Sequence, residues 1–151
     1  MSSVHEYPIS VEWSGAFEGS GTATADRSTS QVTLAVPPEF KGTGAGTNPE
    51  ELLASAVGGC YCITFGIVAA NRRLPFVNVS AKVTGYVEAT GQLPVYTKIV
   101  ITPTITLAAD ATDDQVKMAE DMAHKADNYC IITNAIRGKV AIEVHPTVVR
   151  G

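Results

Sequence analysis

The sequence predicts an α+β fold in which antiparallel sheets are wrapped around one central, buried helix. Three observations support this prediction: the strand-like segments come in hairpin groups, one long segment is apolar on every side, and a second segment has amphipathic helical spacing. Grouped strands of this kind are typical of α+β folds, whereas doubly wound sheets alternate strands with helices. With 151 residues, no repeats and no convincing linker, we expect a single domain over residues 1–151.

The N-terminal third is predicted to hold three strands. Residues 7–14 and 16–25 form two short segments separated by glycine, and residues 30–36 alternate apolar and polar side chains before a Pro-Pro pair ends the strand. The glycine-rich segment 41–47 lacks the spacings of phosphate-binding loops. We therefore interpret it as a flexible connection and not as a nucleotide site.

The central helix is predicted to begin at Thr47 or Asn48, either of which can cap it. A proline follows, and then Glu50 and Glu51, which suit the positive end of the helix dipole. Residues 52–70 are nearly all small or apolar. A helix that is apolar on every side is expected to be buried.

The rest of the chain predicts a long hairpin, a second helix and a last strand. Residues 76–89 and 94–108 alternate as strands around an ATGQL turn. A threonine cap and an acidic first turn predict a helix over residues 113–129. Residues 130–138 predict a short helix or turn, and residues 139–149 predict one final strand.

Composition and charge argue against several classes of protein. The net charge is −4 and no block of basic residues is present, so we expect no nucleic-acid partner. No apolar run reaches the roughly 18 residues of a membrane span, and the first residues lack a secretory pattern, so we expect no membrane partner and a cytoplasmic location. Only 17% of the residues are charged, which suggests that a second copy or a partner covers apolar surface.

Three cysteines are the candidates for chemistry: Cys60, Cys62 and Cys130. An odd number without a secretory signal argues against a framework of structural disulfides. The histidines show no zinc-ligand spacing, so we expect neither a metal nor another cofactor. At this level the three thiols fit inert core positions as well as a reactive pair.

Two segments resemble one known family. GTGAGTNPEELLASAVGGC, residues 42–60, and NYCIITNAIRGKVAIEV, residues 128–144, are similar to the OsmC/Ohr family of thiol peroxidases, and the likeness extends from about Trp13 to the last strand. The family commonly has a proline after its second cysteine, where this chain has Ile131. The resemblance implies an OsmC-like fold and an intertwined homodimer with two active sites at its interface, as found mainly in bacteria.

The same resemblance implies a peroxiredoxin-like activity and a role for each cysteine. Members reduce organic hydroperoxides, and hydrogen peroxide less well. By analogy Cys60 is the peroxidatic thiolate, and Cys130 is the resolving thiol that closes an intrachain disulfide. The resemblance implies that a dithiol, such as one of the lipoyl type, would reduce that disulfide. Glu50 corresponds to the family's glutamate at the start of the helix and is a third candidate catalytic residue.

The residue types raise a question about how the thiolate is stabilised. A free thiol with a pKa of about 8.5 is mostly protonated at neutral pH, and burial in an apolar helix raises that pKa further. The helix dipole does not help a residue in mid-helix. The site therefore needs a cation or several hydrogen-bond donors. The arginine of the organic-hydroperoxide branch would fall on Glu18, and the candidate replacements are Arg27 and, less directly, Arg72, Arg73, Arg137 and Lys139.

Several alternatives stay open. Ten helical residues place Glu50 about 15 Å from Cys60, so contact between them needs a bridging residue, a bend or a second chain. Without such contact, Glu50 only interacts favourably with the positive end of the helix dipole. Glu51 is expected to be a solvated neighbour. Cys62 lies about 200° round the helix from Cys60 and is expected in the core. A weakly catalytic small-molecule-binding protein and a redox sensor are the alternative functions.

Overall fold

The computed structural model describes residues 2–91 and 93–151, which form two compact units, one ending at Leu52 and the other beginning at Leu53. Gln92 of the predicted ATGQL turn lies outside the described residues. The expectation of a single domain stays a prediction.

The first unit contains the three predicted strands. They are β1 (Ile9–Ser14), β2 (Ser20–Ala25) and β3 (Gln31–Leu34), and they pair antiparallel in that order. Gly21 lies opposite Trp13 in the register, and a side chain at Gly21 would collide with the Glu12 carbonyl. The three-strand prediction for this part of the chain is confirmed.

The glycine-rich segment after β3 is hydrogen-bonded along that strand. The Thr47 N–H donates to the Thr33 carbonyl, and the Thr47 carbonyl accepts from the Ala35 N–H. A side chain at Gly42 would collide with the Val36 carbonyl, so the close approach of the two backbones requires glycine there. The expectation of a loose connection is wrong because these bonds fix the segment.

The long helix α1 (Pro49–Asn71) begins at an asparagine cap. Asn48 Oδ1 accepts a hydrogen bond from the Glu51 N–H at 2.8 Å, and Asn48 Nδ2 donates to Glu51 Oε1 at 2.7 Å. Of the two predicted caps, Asn48 is the one used. Glu51, expected to be only solvated, takes part in the cap, since its side chain is in reach of the Asn48 amide.

Only one face of α1 is buried within the chain. In the second unit, Tyr61 and Phe65 are fully buried in the core, whereas Ile63 and Ile67 on the opposite face are exposed. The helix was expected to be buried on every side. The described core of the second unit packs against one side of the helix, so burial of the second face stays a prediction.

The helix α1 is also long and apolar enough to cross a membrane, judged by length and composition alone. The expectation that no segment reaches that length is therefore wrong. The apolar residues are interrupted by glycine, serine, threonine and tyrosine, which carry no charge and leave the mean hydropathy high. Core helices of soluble proteins pass the same test.

The second sheet is mixed. The strands β4 (Phe76–Glu88) and β5 (Val95–Leu107) form the predicted antiparallel hairpin, but β6 (Ala141–Val144) and β7 (Thr147–Arg150) both pair parallel to β5. The prediction of purely antiparallel sheets is wrong here, because the chain leaves β5 through helices and returns in the same direction. The single predicted last strand is divided at Pro146, which cannot donate to a ladder.

Two helices and a helical turn connect β5 to β6. They are α2 (Asp113–Lys125), the 3-10 turn Ala126–Tyr129 and α3 (Ile131–Ile136). The α2 helix starts in a capping box in which the Thr112 hydroxyl accepts from the Gln115 N–H and the Gln115 side chain accepts from the Thr112 N–H. These elements confirm the predicted helix and the predicted short helical segment.

The core of the second unit lies on one face of β5. Alternate residues of this strand are fully buried, and they pack with the buried face of α1 and with Ala119, Met122 and Ala123 of α2. The buried residues of the strand are Ile99, Ile101, Pro103, Ile105 and Leu107. This packing holds residues 53–71 of α1 and the α2–α3 connection in one compact unit, which determines where the two predicted reactive thiols lie.

Candidate active site

Cys60 and Cys130 reach the site from different elements of the second unit. Cys60 lies in the middle of α1 and is half-buried, with the Thr64 hydroxyl one turn further along at 4.0 Å from its sulfur. Cys130 is fully buried and lies between the 3-10 turn and α3. Both cysteines, like Cys62, are free thiols in this structure.

The structure places Cys130 close enough to Cys60 for each thiol to change the pKa of the other. The Cys130 side chain and the backbone N–H groups of Ile131 and Ile132 favour the Cys60 thiolate by hydrogen bonding and so lower the pKa of Cys60. These N–H groups belong to the first turn of α3, where backbone donors have no partner within their own helix. One sulfur atom of α1 therefore receives three donors from the segment that carries the other.

The donors around Cys60 control its ionisation. Burial is the largest single effect and alone would raise the pKa of the Cys60 thiol. The hydrogen bonds from Cys130, Ile132, Thr64 and Ile131 together outweigh burial, so the pKa of Cys60 is lowered. Hydrogen bonds to a charged acceptor are stronger than those to a neutral one, which explains why several modest donors suffice.

The pKa of Cys130 moves in the opposite direction. Burial raises the pKa of Cys130, and hydrogen bonding of its thiol to Cys60 raises it further, with a smaller contribution from charge repulsion between the two sulfurs. The Cys130 sulfur also caps α3 by accepting from the Thr133 N–H at 3.3 Å. Of the two thiols, Cys60 is therefore the one that loses its proton more readily.

The donors that lower the pKa of Cys60 are neutral. Glu18, at the position of the family arginine, is an exposed residue between β1 and β2. Arg27 of the first unit donates to the Glu6 carbonyl and stacks over the Tyr7 ring at 4.9 Å. The sequence left open whether a cation or several hydrogen-bond donors stabilise the thiolate. The groups described around Cys60 are neutral donors.

The ion pair of Arg137 with Asp127 was missed by the sequence reasoning. Arg137 was considered as a cation for the thiolate, but its guanidinium binds Asp127, whose carboxylate is nearly buried. The sequence shows Asp127 three residues before Cys130, a position that looks like an ordinary exposed end of a helix. Only the turn between the two helices places the carboxylate inside.

Glu50 and Cys62 complete the predicted residues. Glu50 lies in the first turn of α1, in the unit that ends at Leu52, and it is partly buried. Its expected role at the thiolate stays a prediction. Cys62 packs against the hydrophobic core, as expected, and burial raises its pKa. Of the three free thiols, Cys60 alone has a lowered pKa.

The arrangement can support two-electron thiol chemistry. A thiolate is the nucleophilic form of cysteine, and a second thiol within hydrogen-bond reach can attack its oxidised form. Among residues 2–91 and 93–151, no group of three or more histidine, cysteine or acidic side chains comes together in a way that could hold a metal ion.

Comparison with known proteins identifies a family and several relatives of similar sequence or fold. The model of the OsmC-like protein family matches residues 42–145 of the chain. The uncharacterised protein YmaD of Bacillus subtilis is 30% identical over 147 residues, covering 97% of each chain. An organic hydroperoxide resistance protein of Legionella pneumophila has a TM-score of 0.75 at 23% identity, covering 95% of this chain and 99% of its own. An OsmC-like protein of unknown function from Vibrio cholerae has a TM-score of 0.77 at 22% identity, covering 93% and 99%.

Proposed function

This chain belongs to the OsmC-like protein family, and we propose that it is a thiol-dependent peroxidase that reduces organic hydroperoxides, and hydrogen peroxide less well. Cys60 is the peroxidatic residue and Cys130 the resolving residue. The hydroperoxide resistance named for the Legionella pneumophila protein of the same fold supports this choice of substrate. We place the reaction in the cytoplasm, where free thiols stay reduced.

The single observation that carries the proposal is the set of hydrogen bonds on the Cys60 sulfur. Cys130, Ile131 and Ile132 lower the pKa of Cys60 by hydrogen bonding, so the ionised form is favoured at a sulfur that has the Cys130 thiol beside it. An inert core cysteine is expected to have a pKa raised by burial, as Cys62 has, and not one lowered by hydrogen-bond donors.

The first chemical step is attack of the Cys60 thiolate on the distal oxygen of the hydroperoxide. A sulfur–oxygen bond forms, the oxygen–oxygen bond breaks, and the alkoxide leaves with one proton from solvent as an alcohol. Cys60 is oxidised to a sulfenic acid.

The second step joins the two cysteines. The Cys130 sulfur attacks the sulfenic sulfur, a disulfide forms, and the hydroxyl of the sulfenic acid leaves as water with the proton that Cys130 carried. A dithiol such as a reduced lipoyl group then reduces the disulfide to two thiols and is itself oxidised to a disulfide. No cofactor is needed for these steps.

We propose further that the working form is a homodimer. The face of α1 that is not packed within the chain carries Ile63 and Ile67, both exposed and apolar. A second copy would bury this face and give α1 the central position that its composition predicts. The dimer would also allow Glu50 to approach the thiolate from the second chain. Light scattering should give a molar mass of twice the chain mass of 15.8 kDa. Ile67→Asp should reduce the measured mass to that of a single chain.

A small-molecule-binding role is the second candidate, and one cavity favours it. A pocket of about 240 Å³ lies beside α1 and α2 and does not include either reactive cysteine. Its lining is mostly apolar, with a few charged side chains: Phe65, Val68, Arg72, Met118, Asp121, Met122, Lys125, Ala126 and Tyr129. A protein that only binds a ligand here would not consume peroxide.

The deciding experiment counts thiols. Reduced protein is mixed with cumene hydroperoxide or hydrogen peroxide, and free thiols and intact peroxide are measured over time. A peroxidase loses two thiols rapidly, and it turns over when a dithiol is supplied. Cys60→Ser should abolish both effects, whereas Cys62→Ser, the matched control, should leave them unchanged.

The same measurement separates the alternatives. A redox sensor would form the disulfide between Cys60 and Cys130 but turn over poorly with the dithiol. A binding protein would lose no thiols. Retention of all three thiols with both peroxides would refute the peroxidase.

A further inference from the structure

An ion pair closes the segment that carries Cys130. Arg137 Nη2 donates to Asp127 Oδ2 at 3.2 Å and to the Asp127 carbonyl oxygen at 3.1 Å. The same carbonyl accepts the Cys130 N–H at 3.2 Å. The two ends of segment 127–137 are therefore joined at the point where the backbone turns toward Cys130.

The guanidinium also joins this segment through an amide. Arg137 Nε donates to Asn134 Oδ1 at 3.1 Å, and Asn134 Nδ2 donates to the Asn128 carbonyl at 2.9 Å. One planar group thus contacts both α3 and the turn that precedes it. A lysine could supply the charge but not this fork of donors.

Burial makes the pair a strong constraint. The Asp127 side chain is 12% exposed and the Arg137 side chain 43%. A nearly buried carboxylate is unfavourable without a compensating charge, so Asp127 holds the guanidinium in place. The immediate neighbours of Cys130, Tyr129 and Ile131, are both exposed and do not anchor the segment by packing within the chain.

We propose that Asp127 and Arg137 are positioning residues: their pair holds the Cys130 sulfur and the Ile131 and Ile132 N–H groups against Cys60. Neither side chain needs to touch the reacting atoms, because both act through the segment between them. The inference rests on the proposed peroxidase function for its consequence in turnover, but the geometry that it explains does not depend on that function.

The consequence concerns the fate of the oxidised Cys60. Its sulfenic acid either reacts with Cys130, releasing water and forming the disulfide, or reacts with a second hydroperoxide. The second path gives a sulfinic acid and an alcohol and is irreversible for most proteins. A displaced Cys130 slows only the first path, so loss of the pair should shift the products toward sulfinic acid.

The test uses the full-length protein with Arg137→Gln. After a pulse of cumene hydroperoxide, mass spectrometry measures the ratio of disulfide to Cys60 sulfinic acid. We expect this ratio to fall by about tenfold, the equivalent of one hydrogen bond at about 1.4 kcal/mol per tenfold. Without peroxide, the pH dependence of Cys60 alkylation should move to higher pH, because Ile131 and Ile132 no longer donate well.

The matched control is Arg150→Gln. Arg150 also donates to a backbone carbonyl, that of Ala111, and to a carboxylate, that of Asp113, and its side chain is 40% exposed. Losing it costs comparable bonds away from the cysteines. We expect a similar loss of thermal stability in the two variants but an unchanged product ratio and alkylation profile in Arg150→Gln.

Two further variants keep the inference testable if Arg137→Gln does not fold. Arg137→Lys should recover part of the product ratio, since it restores charge without the contact to Asn134, and Asp127→Asn should fall between wild type and Arg137→Gln. A product ratio and alkylation profile equal to those of Arg150→Gln in all three would overturn the positioning role. If wild type consumes no peroxide, the proposed function fails, and the alkylation profiles still decide the role of the pair.

Discussion

Replacing Cys130 should raise the pKa of Cys60, although the two residues lie on different elements. In Cys130→Ala the thiol donor is lost, and so is the sulfur that caps α3 by accepting from Thr133. Cys130→Ser keeps a hydroxyl that can donate to the thiolate and cap the helix, so it should change the pKa less. Both variants remove the second sulfur, but only Cys130→Ala removes the donor. A larger pKa change in Cys130→Ala therefore shows the effect of the donor.

The magnitude follows from the hydrogen bond. A bond to a charged acceptor contributes about 1.5–3 kcal/mol, and a thiol is a weak donor, so the lower end applies. At 1.36 kcal/mol per pKa unit, Cys130→Ala should raise the pKa of Cys60 by about one unit. Below the pKa, the thiolate fraction and the alkylation rate should therefore fall about tenfold.

The assay is peptide-level alkylation of Cys60 by iodoacetamide across a pH series. The lowered pKa predicts that wild-type Cys60 reacts below the pH range of an ordinary thiol, and the rates of wild type and Cys130→Ala should converge at high pH, where both are ionised. Cys62→Ala serves as the control, because Cys62 contributes no donor to Cys60. An alkylation profile of Cys130→Ala that overlays wild type would refute the hydrogen-bond account.

Three predictions concern the fold. Ile99→Ala, at a fully buried position in β5, should lower the free energy of unfolding by about 2–5 kcal/mol in denaturant titrations; a change below that of a surface variant would contradict the core. Thr112→Ala should remove the α2 capping box and lower the free energy of unfolding by about 1 kcal/mol, which a lower melting temperature would show. Thr112→Ser should retain most of that stability. Gly42→Ala should destabilise the first unit by about 1–3 kcal/mol, because its Cβ meets the Val36 carbonyl; hydrogen exchange at Thr47 as slow as in wild type would show that the loop tolerates it.

Local signals in the sequence were sufficient for most of the elements. Alternating side chains predicted the hairpin of β4 and β5, and the Thr112 cap marked the start of α2. These features depend on neighbours a few residues apart, so their physics is visible in the sequence. The pairing partner of the last strands is different, since it depends on how the chain returns after α2 and α3, and its parallel direction was not predicted.

For the site, the residue pattern was enough to identify the candidate reactive thiols and to show that a thiolate there needs stabilising groups. It identified Cys60 and Cys130 through a family resemblance, and it required that a thiolate in an apolar helix receive a cation or several donors. The choice between a cation and several hydrogen-bond donors depends on the folded chain. The turn before α3 brings the Cys130 thiol and two backbone N–H groups onto the Cys60 sulfur, and backbone donors carry no signature in residue type. The same turn buries Asp127 and pairs it with Arg137, because burial is a property of the packed chain and not of either residue.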